Sequence, residues 1–199
     1  MEHLLSKVSK TSKKQIKKLL KLRWFKKFNK SLFLVIVGIL VFSFGFYRYL
    51  SLRVLSFSEV PQTGTVSQRG EMPIQVTIPS IDVDIQVEPG NIKDGVWDIS
   101  YDKATFLSSS QRPGIPGNTV IYGHNKKAIF GSLPYVSIGQ KILVKTNDGV
   151  VHTYEVYKKD FVSPDRVDLV SPTNDEELTL FTCWGLFDRQ RAVVKARPI

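Results

Sequence analysis

Residues 81–87 have the sequence IDVDIQV, in which Ile81, Val83, Ile85 and Val87 alternate strictly with polar residues. A period of two places these four apolar side chains on one face, which is typical of a half-buried β-strand. Five further short segments rich in β-branched or aromatic residues follow: NTVIYGH (118–124), QKILVKT (140–146), VVHTYEVYK (150–158), LTLFTC (178–183) and RAVVKAR (191–197). Together they predict an all-β domain.

Turn-forming residues separate these segments. PG at 89–90, RPGIPGN at 112–118 and NDG at 147–149 are turn signals, and the last predicts a hairpin between its two flanking strands. Beyond residue 72 long helical periodicity is absent, although KATFLSS (103–109) is compatible with one or two helical turns. About 127 residues with many short strands predict a single closed or nearly closed β-barrel over residues 73–199.

The positive charge of the chain lies almost entirely at its N-terminal end. Residues 1–50 hold 12 of the 28 Lys and Arg but only one of the 18 acidic residues. The remaining 16 basic and 17 acidic residues nearly cancel over residues 51–199. The net charge of +10 therefore does not indicate a nucleic-acid partner for the folded domain.

An uncharged stretch of 17 residues, SLFLVIVGILVFSFGFY (31–47), follows the basic segment. Extended to Leu50, it is long enough to cross a bilayer as a helix, and no small-residue cleavage site follows it. The sequence thus predicts a basic cytoplasmic segment (1–30), an uncleaved transmembrane anchor (31–50) and a stalk (51–72). Because Lys and Arg lie before the anchor, the N-terminus is predicted to be cytoplasmic and residues 73–199 extracellular.

Cys183 is the only cysteine, and it ends an apolar strand. Outside the membrane a single cysteine indicates either an intermolecular disulfide or a reactive thiol. A reactive thiol needs a cation to stabilise its thiolate and commonly a histidine as base. A catalytically silent surface-binding module, with Cys183 as a packing residue, remains the alternative.

Two histidines and two arginines are available to the thiol. His124 ends a predicted strand, after Gly123, whereas His152 lies within a strand and is interpreted as structural. Arg191 leads directly into an alternating strand and is the better candidate for a fixed cation. Arg189 lies in the polar stretch DRQ, which predicts a loop, so a solvated surface position is expected for it.

Several segments in order resemble one family. TLFTC (179–183) resembles the T-L-x-T-C signature of sortases, the cysteine transpeptidases of bacterial surfaces. TIPSIDVDIQVEPG (77–90) resembles the opening strands of that domain, and RPGIPGNTVIYGHN (112–125) resembles the segment that ends in its catalytic histidine. An N-terminal anchor before an outward-facing domain is the usual arrangement of the family as well.

The resemblance implies a mechanism and its residues. Cys183 would attack the backbone carbonyl of an LPxTG-like sorting signal, His124 would protonate the leaving amine, and Arg191 would stabilise the oxyanion or hold the peptide. Thr182 is implied in substrate binding. The acceptor would be an amine from a peptidoglycan cross-bridge or a pilin lysine. A cysteine hydrolase on the same barrel, with water as the acceptor, stays open.

Features of particular sortase groups are missing from the sequence. Residues 51–80 lack the Asp-Pro-aromatic lid motif of pilus-building members, and the chain ends two residues after Arg197 without a second apolar span. The compact form resembles the class D, E and F groups. Candidate calcium ligands (Asp82, Asp84, Glu88 and residues 175–177) are equally explained as solvated turn charges, so no metal or cofactor is assigned. The S-H-G-C type run of an L,D-transpeptidase is absent.

Overall fold

The computed structural model describes residues 30–47, Phe57 and residues 70–199. The chain divides into two compact units, residues 1–50 and residues 51–199. Apart from Lys30, the predicted basic segment lies outside the described residues, as do residues 48–50 of the predicted anchor and most of the predicted stalk.

The described part of the first unit is one helix, α1, which runs from Lys30 to Tyr47. Its 18 residues have a mean hydropathy of 2.0, and all of them are exposed. A helix of this length spans ~27 Å, close to the ~30 Å hydrocarbon core of a bilayer. By length and composition, α1 fits the single-pass membrane anchor predicted from the sequence.

Residues 70–199 of the second unit form a closed barrel of eight strands. The order around the barrel is β1-β2-β5-β6-β9-β10-β8-β7, and β7 pairs with β1 to close it. The strands are β1 (Pro73–Ile78), β2 (Val83–Gly90), β5 (Ala104–Leu107), β6 (Asn118–Tyr122), β7 (Lys141–Thr146), β8 (Val151–Val162), β9 (Glu177–Trp184) and β10 (Gln190–Pro198). A separate ribbon pairs β3 (Ile92–Lys93) with β4 (Val96–Trp97). The predicted all-β barrel is confirmed.

The short helical turns of the domain do not lie in KATFLSS (103–109), the segment in which the sequence allowed them. Short 3-10 turns occupy Pro79–Ile81, Leu133–Tyr135, Val167–Val170 and Leu186–Asp188. The prediction of helical turns in KATFLSS is wrong, because residues 104–107 form β5. All four residues of β5 are buried, and the strand pairs with both β2 and β6. A strand that is covered on both faces does not alternate apolar with polar residues. The sequence of β5 therefore lacks the period of two that would have indicated a strand.

The predicted hairpin at NDG joins β7 to β8. The Thr146 N–H donates to the Val150 carbonyl at 2.9 Å, and the Gly149 N–H donates to the Thr146 carbonyl at 3.0 Å. Gly149 has φ +88°, a backbone conformation that glycine adopts without steric cost. Local turn chemistry therefore fixes the register of this strand pair.

Two apolar clusters cover opposite faces of the strands β6, β9 and β10. One fills the barrel interior and includes Leu178, Leu180 and Val194. The other lies on the outer face and includes Tyr122, Phe181, Cys183 and Val193. Because both faces are covered, every residue of β6 and seven of the eight residues of β9 are buried. The outer cluster is the one that surrounds the single cysteine.

Phe57 belongs to the outer cluster, although it comes from the segment predicted as a stalk. Its side chain is 2% exposed, and its ring lies 4.8 Å from that of Phe181 in an edge-to-face arrangement. Phe181 also stacks on Tyr122 at 5.1 Å. Aromatic pairs of this geometry contribute about 0.5–1.5 kcal/mol beyond their buried area. The segment before the barrel thus helps to fix strand β9 two residues before Cys183.

Candidate active site

Cys183 and Arg191 lie opposite each other on neighbouring antiparallel strands. Cys183 is the penultimate residue of β9, and Arg191 is its Cα partner on β10. Directly paired residues project from the same face of a sheet. Both side chains are buried, at 3% and 2% exposure. The pairing therefore places the guanidinium beside the thiol.

His124 is brought to the same end of the sheet by a parallel strand. β6 and β9 run parallel, with Tyr122 opposite Phe181. Beyond the last paired residue, the Gly123 N–H donates to the Phe181 carbonyl at 3.3 Å. The Thr182 hydroxyl donates to the Gly123 carbonyl at 2.8 Å. Continuing this register sets His124 level with Cys183.

Gly123 is required by the loop that follows His124. A Cβ at residue 123 would lie 2.7 Å from Cγ2 of Ile129 and 3.2 Å from Cδ2 of Phe130. The His124 carbonyl accepts hydrogen bonds from the Lys126 N–H at 2.8 Å and the Phe130 N–H at 3.2 Å. This close backbone approach thus folds the loop against the strand end and orients His124.

The turn between β9 and β10 holds the Arg191 guanidinium. Nη1 of Arg191 donates to the carbonyls of Asp188 and Gln190, each at 2.9 Å. Arg189, in contrast, is exposed and has helical backbone angles, φ −72° and ψ −12°. The sequence predicted a loop over DRQ (188–190). The structure places Gln190 in β10, so only the first two residues of that stretch lie in the turn. Arg191 is held by the sheet and Arg189 is not.

Burial is the largest influence on the pKa values of Cys183 and His124. It raises the pKa of the Cys183 thiol to about 12, although Arg191 acts to lower it. Burial also lowers the pKa of His124, and the nearby Lys126 lowers it further. Both shifts favour neutral groups at neutral pH. These forms are a thiol on Cys183 and a neutral imidazole on His124.

Thr182 faces away from the thiol. Successive residues of a strand point to opposite sides, and the fully buried Thr182 side chain donates to the Gly123 carbonyl as described above. Its hydroxyl thus ties β9 to the residue before His124. The role in substrate binding that the family resemblance implied stays a prediction.

His152 is far from this group. It lies on β8 opposite Val144, and its ring packs against Gly114, where an added Cβ would meet Cε1 at 2.6 Å. Val162, at the other end of β8, is the residue paired with Arg191. Ten strand residues at ~3.3 Å each separate the two ends by about 33 Å. This placement agrees with a structural His152.

Four of the six candidate calcium ligands have other side-chain contacts. Asp84 accepts hydrogen bonds from the side chains of Gln75 and Thr77, Glu88 forms an ion pair with Lys103, and Glu176 accepts from Tyr154. Glu177 accepts from both Lys195 and Tyr157. Within the described residues, no three His, Cys, Asp or Glu side chains are grouped as metal ligands would be.

No sequence pattern indicated the contacts that three groups make around the site. Lys126 donates from Nζ to the Tyr101 carbonyl at 3.0 Å and lies 3.5 Å from the centroid of its ring. Trp184, the residue after Cys183, packs against the rings of Tyr135 and Phe161 at 5.9 and 5.5 Å. The third is Asp188, in the turn that holds Arg191. Each contact joins segments distant in sequence or depends on turn geometry, so no local pattern indicated it.

Comparison with known proteins identifies the family. The family model described as Sortase domain matches residues 76–199, more than half of the chain. Among curated proteins, the chain is 36% identical over 70 residues to the sortase-family protein YwpE of Bacillus subtilis, covering 34% of this chain and 68% of that one. It is 26% identical over 125 residues to sortase A of Bacillus anthracis, covering 61% of this chain and 57% of that protein.

A solved structure supports the same assignment. The lid mutant of sortase A from Corynebacterium diphtheriae is 26% identical and superposes with a TM-score of 0.55, over 66% of this chain and 73% of that one. The chain therefore belongs to the sortase family, whose members are transpeptidases. The group within the family stays a prediction.

Proposed function

We propose that this chain is a membrane-anchored cysteine transpeptidase whose catalytic domain faces the outside of the cell. The observation that carries the proposal is the convergence of three complementary groups at one end of the adjacent strands β6, β9 and β10. These groups are the imidazole of His124, the thiol of Cys183 and the guanidinium of Arg191. A nucleophile, a base and a fixed cation are the parts that thiol-dependent acyl transfer needs.

The first half-reaction cleaves the donor peptide. The Cys183 proton passes to His124, and the thiolate attacks the scissile carbonyl carbon to form a C–S bond. The oxyanion develops next to Arg191, which stabilises it electrostatically. His124 then gives the proton to the leaving nitrogen as the C–N bond breaks. A thioacyl enzyme and a free amine result.

The second half-reaction transfers the acyl group. An acceptor amine attacks the thioester carbon, His124 takes the proton that the amine loses, and the C–S bond breaks as the new amide forms. The thiolate is regenerated and is reprotonated from His124. With water as the acceptor, the same steps release a carboxylic acid. The hydrolase alternative therefore differs only in the nucleophile.

Donor and acceptor are inferred from the family. We assign the donor as a surface protein with an LPxTG-like C-terminal sorting signal and the acceptor as an amine of peptidoglycan or of a pilin. The apolar helix α1 supports anchoring in the plasma membrane. No cofactor takes part in the proposed steps.

The reactive form of the pair is a minor species in this proposal. With the pKa of Cys183 raised and that of His124 lowered, only a small fraction of molecules holds thiolate and imidazolium together. Because the two groups exchange a proton in the proposed mechanism, we expect their apparent pKa values to belong to the pair. Thr182 contributes by holding the residue before His124.

Capture of the thioacyl intermediate tests the proposal. The full-length protein in detergent micelles should gain the mass of the N-terminal donor fragment when incubated with the matching peptide from a sorting-signal panel. Intact-mass spectrometry measures the adduct, and Cys183→Ala should abolish it. An added amine should convert the adduct into an amide product.

The possible outcomes separate the alternatives. An adduct that yields only the acid, whatever amine is added, would favour the hydrolase. Peptide cleavage that survives Cys183→Ala, or the lack of any adduct across the panel, would contradict a cysteine transpeptidase.

Topology is tested in intact cells. Because Lys and Arg precede α1, a tag before Met1 should be protected from added protease and a tag after Ile199 should be cleaved. Immunoblotting with and without permeabilisation measures both. Cleavage of the N-terminal tag with protection of the C-terminal one would reverse the orientation and exclude an extracellular donor.

A further inference from the structure

The first threonine of TLFTC has no part in the reaction as described. Thr179 lies on β9, four residues before Cys183, and its side chain is fully buried. Because side chains alternate along a strand, Thr179, Phe181 and Cys183 project from the same outer face of the barrel. The Thr179 hydroxyl donates to Oδ1 of Asn118, on the neighbouring strand β6, at 2.7 Å. The motif thus places a buried hydrogen bond on the face that carries the thiol.

Asn118 connects this hydroxyl to the segment between β8 and β9. Its side chain is buried, and Nδ2 donates to the Ser171 carbonyl at 3.0 Å and to the Leu169 carbonyl at 3.5 Å. Carbonyl oxygens only accept hydrogen bonds, so the amide nitrogen must face them and the amide oxygen must face Thr179. Thr179 therefore fixes the Asn118 amide in the orientation that holds this segment.

The segment held by Asn118 covers the outer face of the barrel beside the candidate site. It contains the 3-10 turn Val167–Val170. Leu169 and Val170 are 5% and 3% exposed, and both belong to the outer apolar cluster that includes Cys183. The position of this turn therefore determines how the surface next to the thiol is covered.

The hydrogen bonds within the turn are local. The Leu169 N–H donates to the Arg166 carbonyl and the Ser171 N–H donates to the Asp168 carbonyl, each at 3.3 Å. Both distances exceed the ~2.9–3.0 Å of a typical N–H···O bond. Such bonds shape the turn but do not attach it to the strands. Its attachment depends on contacts with the barrel, and Asn118 supplies a polar one.

We propose that Thr179 and Asn118 are positioning residues of the reaction. Thr179 orients the Asn118 amide, the amide holds the turn Val167–Val170, and the turn shapes the surface on which the donor peptide lies next to Cys183. Four strand residues at ~3.3 Å each separate Thr179 from Cys183 by about 13 Å, so the pair acts on donor binding rather than on bond breaking. This inference rests on the proposed function for its catalytic meaning.

A pair of identical substitutions isolates the hydrogen bond. Thr179→Val removes the hydroxyl while keeping the β-branched shape of the side chain. Thr119→Val is the matched control, because Thr119 is fully buried on β6 and its hydroxyl has no hydrogen-bond partner within the described residues. The chemical change is the same at both positions, but only Thr179→Val breaks a hydrogen bond. Thr179→Ser keeps the hydroxyl and is the conservative variant that should restore the parent values.

Hydrogen–deuterium exchange of the full-length protein in micelles tests the contact without a donor peptide. Mass spectrometry of peptides that cover residues 163–171 should show exchange about fivefold faster in Thr179→Val, and parent rates in Thr119→Val. Asn118→Ala removes the amide itself and should give a similar increase. Because both substitutions break the same contact, the double variant should exchange little faster than Asn118→Ala alone.

Kinetics with the captured donor peptide test the consequence for the reaction. Thr179→Val should raise KM by about fivefold and leave kcat within about twofold of the parent, because a displaced turn weakens donor binding while the groups that make and break bonds stay in place. Thr119→Val should keep both parent values. Thermal melts of the variants record any accompanying loss of stability.

The outcomes distinguish this proposal from the proposed function. Parent exchange rates over residues 163–171 in Thr179→Val would overturn it. Faster exchange with an unchanged KM would reduce the pair to structural residues, and an equal rise of KM in Thr119→Val would show a general loosening; either result overturns it as well. If Thr179→Val fails to fold, Asn118→Ala carries the same two measurements. If the parent protein fails on every donor peptide, the transpeptidase assignment fails, while the exchange rates still decide whether Thr179 and Asn118 hold the turn.

Discussion

Replacing His124 with alanine should lower the rate of donor-peptide cleavage by roughly 10²–10⁴-fold, the range that a positioned acid–base group contributes. The substitution removes the proposed base for a thiol whose pKa burial has raised to about 12. It also removes the group that we propose as the acid for the leaving amine. Because both functions are lost together, we expect this effect to exceed that of Arg191→Lys. Release of a labelled fragment under kcat/KM conditions measures it.

His152→Gln is the matched control. His152 lies at the opposite end of the barrel, on β8 beside Gly114, and should be replaceable with little loss of cleavage. Circular dichroism of both variants checks that the barrel is intact. If His152→Gln proved the more damaging change, the pairing of His124 with Cys183 at the strand ends would be wrong.

The candidate site was inferred from the sequence at points where the local pattern and the predicted strand ends agree. In the structure Cys183 is the penultimate residue of β9, His124 lies two residues after β6, and Arg191 is the second residue of β10. A strand that is covered on both faces ends where the chain reaches solvent. A polar residue at such an end therefore indicates a position at the solvent-exposed end of the barrel. The hairpin at NDG was predictable for a similar reason, since its turn type depends on neighbouring residues only.

Local sequence patterns could not predict the order of the strands around the barrel. They also could not predict which residues pack on the outer face of β6, β9 and β10. The parallel pairs β2–β5 and β6–β9 join segments far apart in sequence, and no local signal encodes their partners. β5 showed no alternation because neither of its faces meets water. Phe57 is the only aromatic residue in the sequence of residues 51–72, which shows no regular apolar period. Its burial depends on the ring cluster of Trp97, Tyr122 and Phe181.

The choice between two neighbouring arginines combined both kinds of information. The sequence favoured Arg191 because it leads an alternating strand. The turn that separates it from Arg189 follows from the backbone: two left-handed residues and then a helical one break the strand period. Arg189 is therefore out of phase with β10 as well as exposed. That geometry, which the sequence did not specify, gives the two arginines different expected effects.

Arg191→Lys should lower kcat/KM by on the order of a hundredfold, because a fixed donor at a developing oxyanion contributes ~3 kcal/mol. The substitution keeps the positive charge that acts on Cys183, so it tests geometry rather than charge. The planar guanidinium is oriented by two carbonyls of the turn, Asp188 and Gln190. An ammonium on a flexible stem does not reproduce a flat fork that bridges two oxygens.

Arg189→Ala provides the comparison, since this exposed side chain lies on the same turn and should stay within a few-fold of the parent. Steady-state kinetics on the captured donor peptide measure both variants. Thermal melts accompany them, because Arg191 is buried and its replacement also changes packing. A loss at Arg191→Lys that follows the fall in melting temperature would indicate a structural role. Equal losses of kcat/KM at both positions, or a larger loss at Arg189, would show that the oxyanion contact had been assigned to the wrong arginine. The assignment to Arg191 depends on its side chain being fixed by the sheet, because only a fixed cation can meet the negative charge as it develops.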